Sequence, residues 1–220
     1  MKMTKCFLLT RPNYDTATSY LHFFAKEAII TAKKIKGIHV TDIEGNKVTR
    51  SNLEKTIAHE NPGLLFLNGH GDKMAVWGHE DEVIIDSKNV NLAKGKIVYS
   101  LACDSLAGLG EIAVGQGANV YIGYQENFML VADPTRHATP SKDNNALPFK
   151  MACTKLIESL LTGINAKEAI DVTKREYIRL IKSLGTSEDT YGDVSLVRFA
   201  LTWDLEFLDL KGNPEACFVG

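Results

Sequence analysis

No apolar run in the 220 residues is long enough to cross a bilayer, so a membrane-embedded protein is not expected. There is no basic block either: 25 Lys and Arg stand against 27 Asp and Glu, for a formal net charge of −2. Without an electropositive stretch, nucleic acid is not an expected partner. The four cysteines, Cys6, Cys103, Cys153 and Cys217, are scattered and form no CxxC pair, which argues against a zinc site and against a disulfide framework. Met1 to Thr10 is only briefly apolar and carries no small-residue cleavage signal, so a cytoplasmic protein with reduced thiols is expected. Repeats and low-complexity segments are absent, and the size suits a single domain over residues 1–220 with a core of its own.

What is present is an alternation of short apolar runs with helical patterns. Cys6–Leu9 reads as a buried strand. Thr16–Lys36 reads as an amphipathic helix with Tyr20, Phe23, Phe24, Ala28, Ile29 and Ile35 near one face, stopped by Gly37. Ile38–Ile43 is a second strand, and Ser51 with Glu54 has the spacing of a capping box opening a second helix. After the break at Asn61-Pro62-Gly63 comes a third strand, Leu64–Leu67. Val76–Gly78 with Val83–Ile85 reads as a small hairpin, followed by a strand over 96–102, a short helix over 109–115 and a strand over 118–123. Helices over 147–162 and 166–183 follow, then a segment around 194–202 and a last strand over 204–210. This order predicts an α/β fold, a three-layer αβα sandwich around a mainly parallel sheet.

Two strands end in reactive groups. The first gives "LLFLNGHGD", in which His70 stands between Gly69 and Gly71; the second delivers Cys103 after Ala102. A lone buried cysteine or loop histidine is ordinarily structural. Here, however, both follow strands in the order that places them at one sheet edge, where sites of parallel sheets form. An imidazole near a thiol takes up its proton or lowers its pKa, and the thiolate attacks carbonyl carbon. The glycines are read as clearing space for a peptide carbonyl, with the Gly71 and Cys103 N–H groups as oxyanion donors. Cys6, Cys153 and Cys217 have no such setting and are read as structural, and His79 is placed in the hairpin.

From Leu64 to about Tyr124 the chain resembles the clan CD cysteine peptidases, the caspase–hemoglobinase fold. The resemblance rests on "LLFLNGHGD", the tryptophan of "AVWGHEDEVI", the strand end "VYSLACDS" and "GANVYIGY", and is nearest to gingipain-type and CHAT-type bacterial members. It implies a caspase-like fold and a cysteine endopeptidase with Cys103 as nucleophile, His70 as general acid or base and Gly71 as oxyanion donor. No cofactor or metal is implied. The partners implied are a protein or peptide substrate and, as a candidate, an activating partner. Asp72 is the candidate to orient His70, and Leu101, Tyr124, Gln125 and Glu126 are candidates for the specificity pocket. Leu101 replaces the acidic residue that clostripain-like members carry two positions before the cysteine. The caspase surroundings of the cysteine are also missing, so neither a basic nor an aspartate preference is expected from those positions. The loop over 128–145 is expected to border the cleft or to carry a processing site.

Three other readings fit parts of the sequence. Gly108-Leu109-Gly110-Glu111-Ile112-Ala113 matches a GxGxxA dinucleotide fingerprint, but the glycines come too late after the strand. Asn68-x-His70-x-Asp72 echoes a metal-hydrolase motif with too few ligands. A caspase-fold module that binds without cutting needs no dyad.

Overall fold

A computed structural model describes residues 5–185 and 193–218; Met1–Thr4 of the N-terminal stretch lie outside them. Eight strands and six α-helices follow one another as β1 (Lys5–Arg11), α1 (Thr16–Lys34), β2 (Ile38–Glu44), α2 (Arg50–Glu60), β3 (Leu64–Asn68), β4 (Ala75–Trp77), β5 (Val83–Asp86), β6 (Ile97–Leu101), α3 (Glu111–Gly115), β7 (Val120–Tyr124), α4 (Leu147–Leu161), α5 (Ala166–Ser183), α6 (Val194–Phe207) and β8 (Leu208–Gly212). Six strands make one sheet in the order β2-β1-β3-β6-β7-β8, parallel except for β8, while β4 and β5 form a separate antiparallel hairpin. The chain runs from β1 outward to β2, returns across β1 to β3, and then continues through β6 and β7. That reversal puts the switch point between β1 and β3, where ligand sites of open α/β sheets lie.

The central strands are uniformly apolar because both sheet faces are covered. Phe7, Leu9, Leu64, Phe66, Tyr99, Ile122 and Tyr124 belong to one core with α1, α4, α5 and α6. Their neighbours Leu8, Leu65, Leu67, Val98 and Tyr121 face the opposite way, into a core with Leu53 and Ile57 of α2, Ala113 of α3, and Val76 and Ile85 of the hairpin. Phe66 and Tyr99, opposite one another on β3 and β6, stack with ring centroids 4.7 Å apart. Among the described residues no helix is long and apolar enough to cross a membrane.

Two expectations need correction. The capping box lies at the start of α1, where Asp15 accepts from the Thr18 N–H and the Thr18 side chain reaches back to the cap backbone. At α2 the cap is Thr49, and Glu54 is occupied by Arg50 and Asn89 instead. The segment expected as a strand from Asp204 is helical to Phe207, and the strand begins at Leu208. The 128–145 loop is also anchored. Buried Asp143 accepts the backbone N–H groups of Asp133, Asn145 and Ala146 and the Tyr20 hydroxyl, tying both ends of the loop's later half to α1.

Candidate active site

His70 and Cys103 reach the same place because β3 and β6 are adjacent and in register, with Asn68 opposite Leu101. Two residues beyond each of those positions stand the imidazole and the thiol, and both line one small pocket together with Gly69, Leu101 and Ala102. The other walls are Ala17 and Leu21 of α1, and Phe128 and Leu130 of the segment after β7. Leu101, named from the sequence as a pocket residue, is therefore there. The other three are not: Tyr124 is in the core, bonded to the Tyr177 hydroxyl at 2.9 Å. Gln125 donates its side-chain amide to Asp209, and the Glu126 carbonyl accepts the Asp104 N–H. The turn out of β7 carries residues 125–127 past the site, and it is Phe128 and Leu130 that fold back onto it.

The carboxylate on His70 is Asp15, not Asp72. Asp15 follows β1 and caps α1: its Oδ1 accepts from the Thr18 N–H at 2.8 Å, leaving Oδ2 to bond His70 Nε2 at 2.7 Å. A carboxylate only accepts, so Nε2 carries the proton and Nδ1 is the basic nitrogen of the neutral ring. Burial alone would raise the Asp15 carboxyl, but the Thr18 donors and the imidazole outweigh it and hold the acid below its ordinary value. Asp72 is committed elsewhere, accepting the N–H groups of Met74 and Ala75 at the entry to the hairpin. Tyr14 packs its ring edge against both His70 and His79, at centroid distances of 6.2 and 5.5 Å, and His79 sits in the hairpin turn as expected. Asp15 escapes a sequence reading because its partner is 55 residues away; the only local signal is its capping spacing to Thr18.

The two functions of Asp15 are separable. Asn caps as well as Asp but carries no charge. Asp15→Asn should thus keep the cap and lose only the stability that the ionised carboxylate adds, whereas Asp15→Ala should lose about 1 kcal/mol more. Urea unfolding of the two variants checks this; equal loss of stability in both would contradict it. The depressed Asp15 carboxyl also adds stability that is present above the unfolded value near 3.8 and lost as pH falls through the folded one.

The hairpin requires both glycines that flank His70. Gly69 has φ +153°, and a Cβ there would lie 2.0 Å from the Trp77 carbonyl oxygen. A Cβ on Gly71 would come within 2.9 Å of the Ala75 carbonyl and of Ala102 Cβ. Gly71 bridges Val76 in an antiparallel pair whose flanking bonds run from Trp77 N–H to His70 C=O and from Asp72 N–H to Ala75 C=O. In such a pair the intervening N–H points away from the partner strand. The Gly71 N–H is thereby turned out of the ladder.

Cys103 is half-buried, and its Sγ lies 4.0 Å from the Phe128 carbonyl oxygen. Burial, with the nearby Asp104 charge, pushes its thiol above the ordinary value, so the resting group is the neutral thiol. The next residue, Asp104, takes a left-handed φ of +52°, which turns the chain sharply out of the strand. The glycines of the GxGxxA stretch lie in a π-helical turn, Leu106–Gly110, ahead of α3. Gly108 is needed there because a Cβ would strike the Lys73 carbonyl at 2.3 Å, so backbone occupies the position where a phosphate would have to approach. Of the Asn68-x-His70-x-Asp72 triplet, the Asn68 amide is buried and donates to the Thr10 carbonyl, and only His70 lines the pocket.

Asp204 on α6 is fully buried behind the pocket wall. Its Oδ1 accepts the Met129 N–H at 2.9 Å, while Oδ2 has no partner among the described residues. Burial raises its carboxyl well above 3.8, so the folded protein holds a proton there that the unfolded chain releases. Stability then falls as pH rises above about 4, by up to about 1.4 kcal/mol per pH unit until the folded value is passed. Urea midpoints between pH 5 and 8 should decline for the wild type relative to Asp204→Asn; parallel curves would show that Asp204 does not hold the proton.

No protein-family model matches the chain, and no curated protein sequence matches it. Solved structures do. The complex of Porphyromonas gingivalis RgpB pro- and mature domains superposes with a TM-score of 0.57 at 11% identity, covering 97% of this chain and 48% of that one. The secreted C11 cysteine protease "iotapain" from Bacteroides thetaiotaomicron superposes with a TM-score of 0.51 at 10% identity, covering 80% of this chain and 63% of that one. The chain thus spans about half the length of the first and under two thirds of the second. With its six-stranded, mostly parallel sheet flanked by helices on both faces, the chain has the caspase-like α/β fold and is structurally similar to the clan CD cysteine proteases.

Proposed function

We propose that the protein is a cysteine endopeptidase acting through His70 and Cys103. The observation that carries the reading is the meeting of these two side chains in one pocket at the ends of adjacent parallel strands, with a carboxylate on the imidazole. In the substrate-bound state Cys103 Sγ gives up its proton to the basic Nδ1 of His70 and attacks the scissile carbonyl carbon. The oxyanion is held by the Gly71 and Cys103 N–H groups, donors fixed before the substrate arrives. His70, kept in one tautomer by Asp15, passes a proton to the departing amine, leaving a thioester on Cys103. Water attacks that thioester, the acid product leaves and the thiol recovers its proton. Because the resting thiol is neutral, deprotonation belongs to the substrate-bound state, and an activating partner that orders the pocket fits the same scheme.

A second reading, a module of the same fold that binds a peptide without cutting it, is favoured by that neutral thiol alone. Incubating the protein with a diverse peptide mixture and reading the products by mass spectrometry, beside iodoacetamide labelling of Cys103, separates the two. New peptide ends establish the peptidase. No new ends with an unreactive Cys103 would end the peptidase reading in favour of the binding module.

A further inference from the structure

The pocket beside Cys103 has about 70 Å³ of room. Apart from His70 and Cys103 its walls are apolar: Ala17, Leu21, Leu101, Phe128 and Leu130. A cavity of about 150 Å³ lined by such side chains takes a benzene ring. Half that volume holds a methyl, an isopropyl or a similar group, not an indole or a guanidinium. Nor is there a charge to receive an ion. Asp72, Asp104 and Glu126 do not line the pocket, and buried Asp204 is bonded to the Met129 backbone behind the wall. A cation or carboxylate pushed into these walls would lose its hydration with no partner in return. The walls are also hard to displace. Leu101 is 0% exposed and Leu21 7%, and the 127–129 segment is tied to α6 twice, by Trp203 Nε1 to the Asn127 carbonyl and by Met129 N–H to Asp204.

We infer that this pocket selects a small, uncharged apolar side chain, of alanine to valine size, at the residue whose carbonyl Cys103 attacks. The inference rests on the peptidase reading for its chemistry but on the pocket for its selectivity. The wall that sets the size limit is Leu130, which like Phe128 is only half-buried but has no aromatic partner, and so is replaceable without opening the core.

The test uses two measurements on the intact chain. One maps the residue before each cut in a peptide mixture. The other follows covalent labelling of Cys103 by peptidyl acyloxymethyl ketones that differ only in their terminal residue: Ala, Val, Phe, Asp or Arg. Cuts after Ala and Val, and labelling by those reagents at least about tenfold faster than by Phe, Asp or Arg, are expected, in line with what a hydrophobic pocket resolves per methylene. In Leu130→Ala, Phe should gain about tenfold relative to Ala. Cuts or faster labelling with Arg or Asp would overturn the pocket assignment and leave the peptidase standing. Selective labelling by Ala and Val without any cuts would uphold the pocket and overturn the peptidase. Equal labelling by all five, or none by any while iodoacetamide still reacts, would overturn the pocket assignment.

Discussion

Cys103→Ala should lower peptide cleavage by three orders of magnitude or more while leaving the fold intact. The two halves of this expectation have different physical origins. Removing the nucleophile removes the covalent route altogether, and what remains is the contribution of bound geometry and oxyanion donors acting on water, which in nucleophile-deleted hydrolases is a small residue of the rate. Stability responds weakly because the sulfur contributes little to it. Cys103 is half-buried, its Phe128 contact is long at 4.0 Å, and the residue lies past the end of β6, so no sheet hydrogen bond depends on it. A loss of about 1 kcal/mol or less is expected, within the range of ordinary single substitutions. Urea unfolding and cleavage rates measured on the same preparation check both parts. Residual cleavage within tenfold of the wild type would mean that another group attacks, and Cys153, buried with its thiol pushed up to about 12, is no substitute.

The strands that position Cys103 were readable because continuous apolar runs such as Phe7-Leu8-Leu9 and Leu64–Leu67 have only one use in an alternating pattern, a sheet covered on both faces. Their register follows from the fold, and with it the meeting of His70 and Cys103. Where the pattern misled, a polar residue sat inside. From Asp204 to Phe207 polar and apolar residues alternate, and the stretch so reads as a strand with Asp204 facing out. In the fold Asp204 faces in, and together with Val197, Ala200 and Leu201 it makes a helical stripe instead. The pocket walls were hidden for a different reason. Phe128 and Leu130 come from a segment without periodicity, placed by Trp203 and Asp204 about 75 residues further on, and nothing local in the sequence encodes those bonds. The same holds for Asp15. Its capping role is local and legible, whereas its bond to His70 depends on β1 and β3 being neighbours.

The glycine before the histidine gives the other large expected effect. Gly69→Ala should destabilise the protein by about 3–5 kcal/mol or detach the hairpin from the sheet, because two penalties coincide at one position. The backbone φ of +153° is one that side chains with a Cβ rarely adopt, and the Cβ itself would stand 2.0 Å from the Trp77 carbonyl oxygen, a backbone atom with no rotamer to change. Relief requires moving β4, which breaks the 2.9 Å bond from Trp77 N–H to the His70 carbonyl and shifts the histidine with it. Activity should fall with stability for that reason. Gly45→Ala provides the control: its φ is also positive, at +58°, but nothing lies within 4 Å of the added carbon. That change should cost only about 1 kcal/mol, the conformational part alone. The difference between the two variants in urea unfolding isolates the contact from the dihedral. If Gly69→Ala cost no more than Gly45→Ala, the hairpin would be free to recede from β3. The glycines around His70 would then be open to a substrate, and not the seat of a strand that fixes the histidine in place.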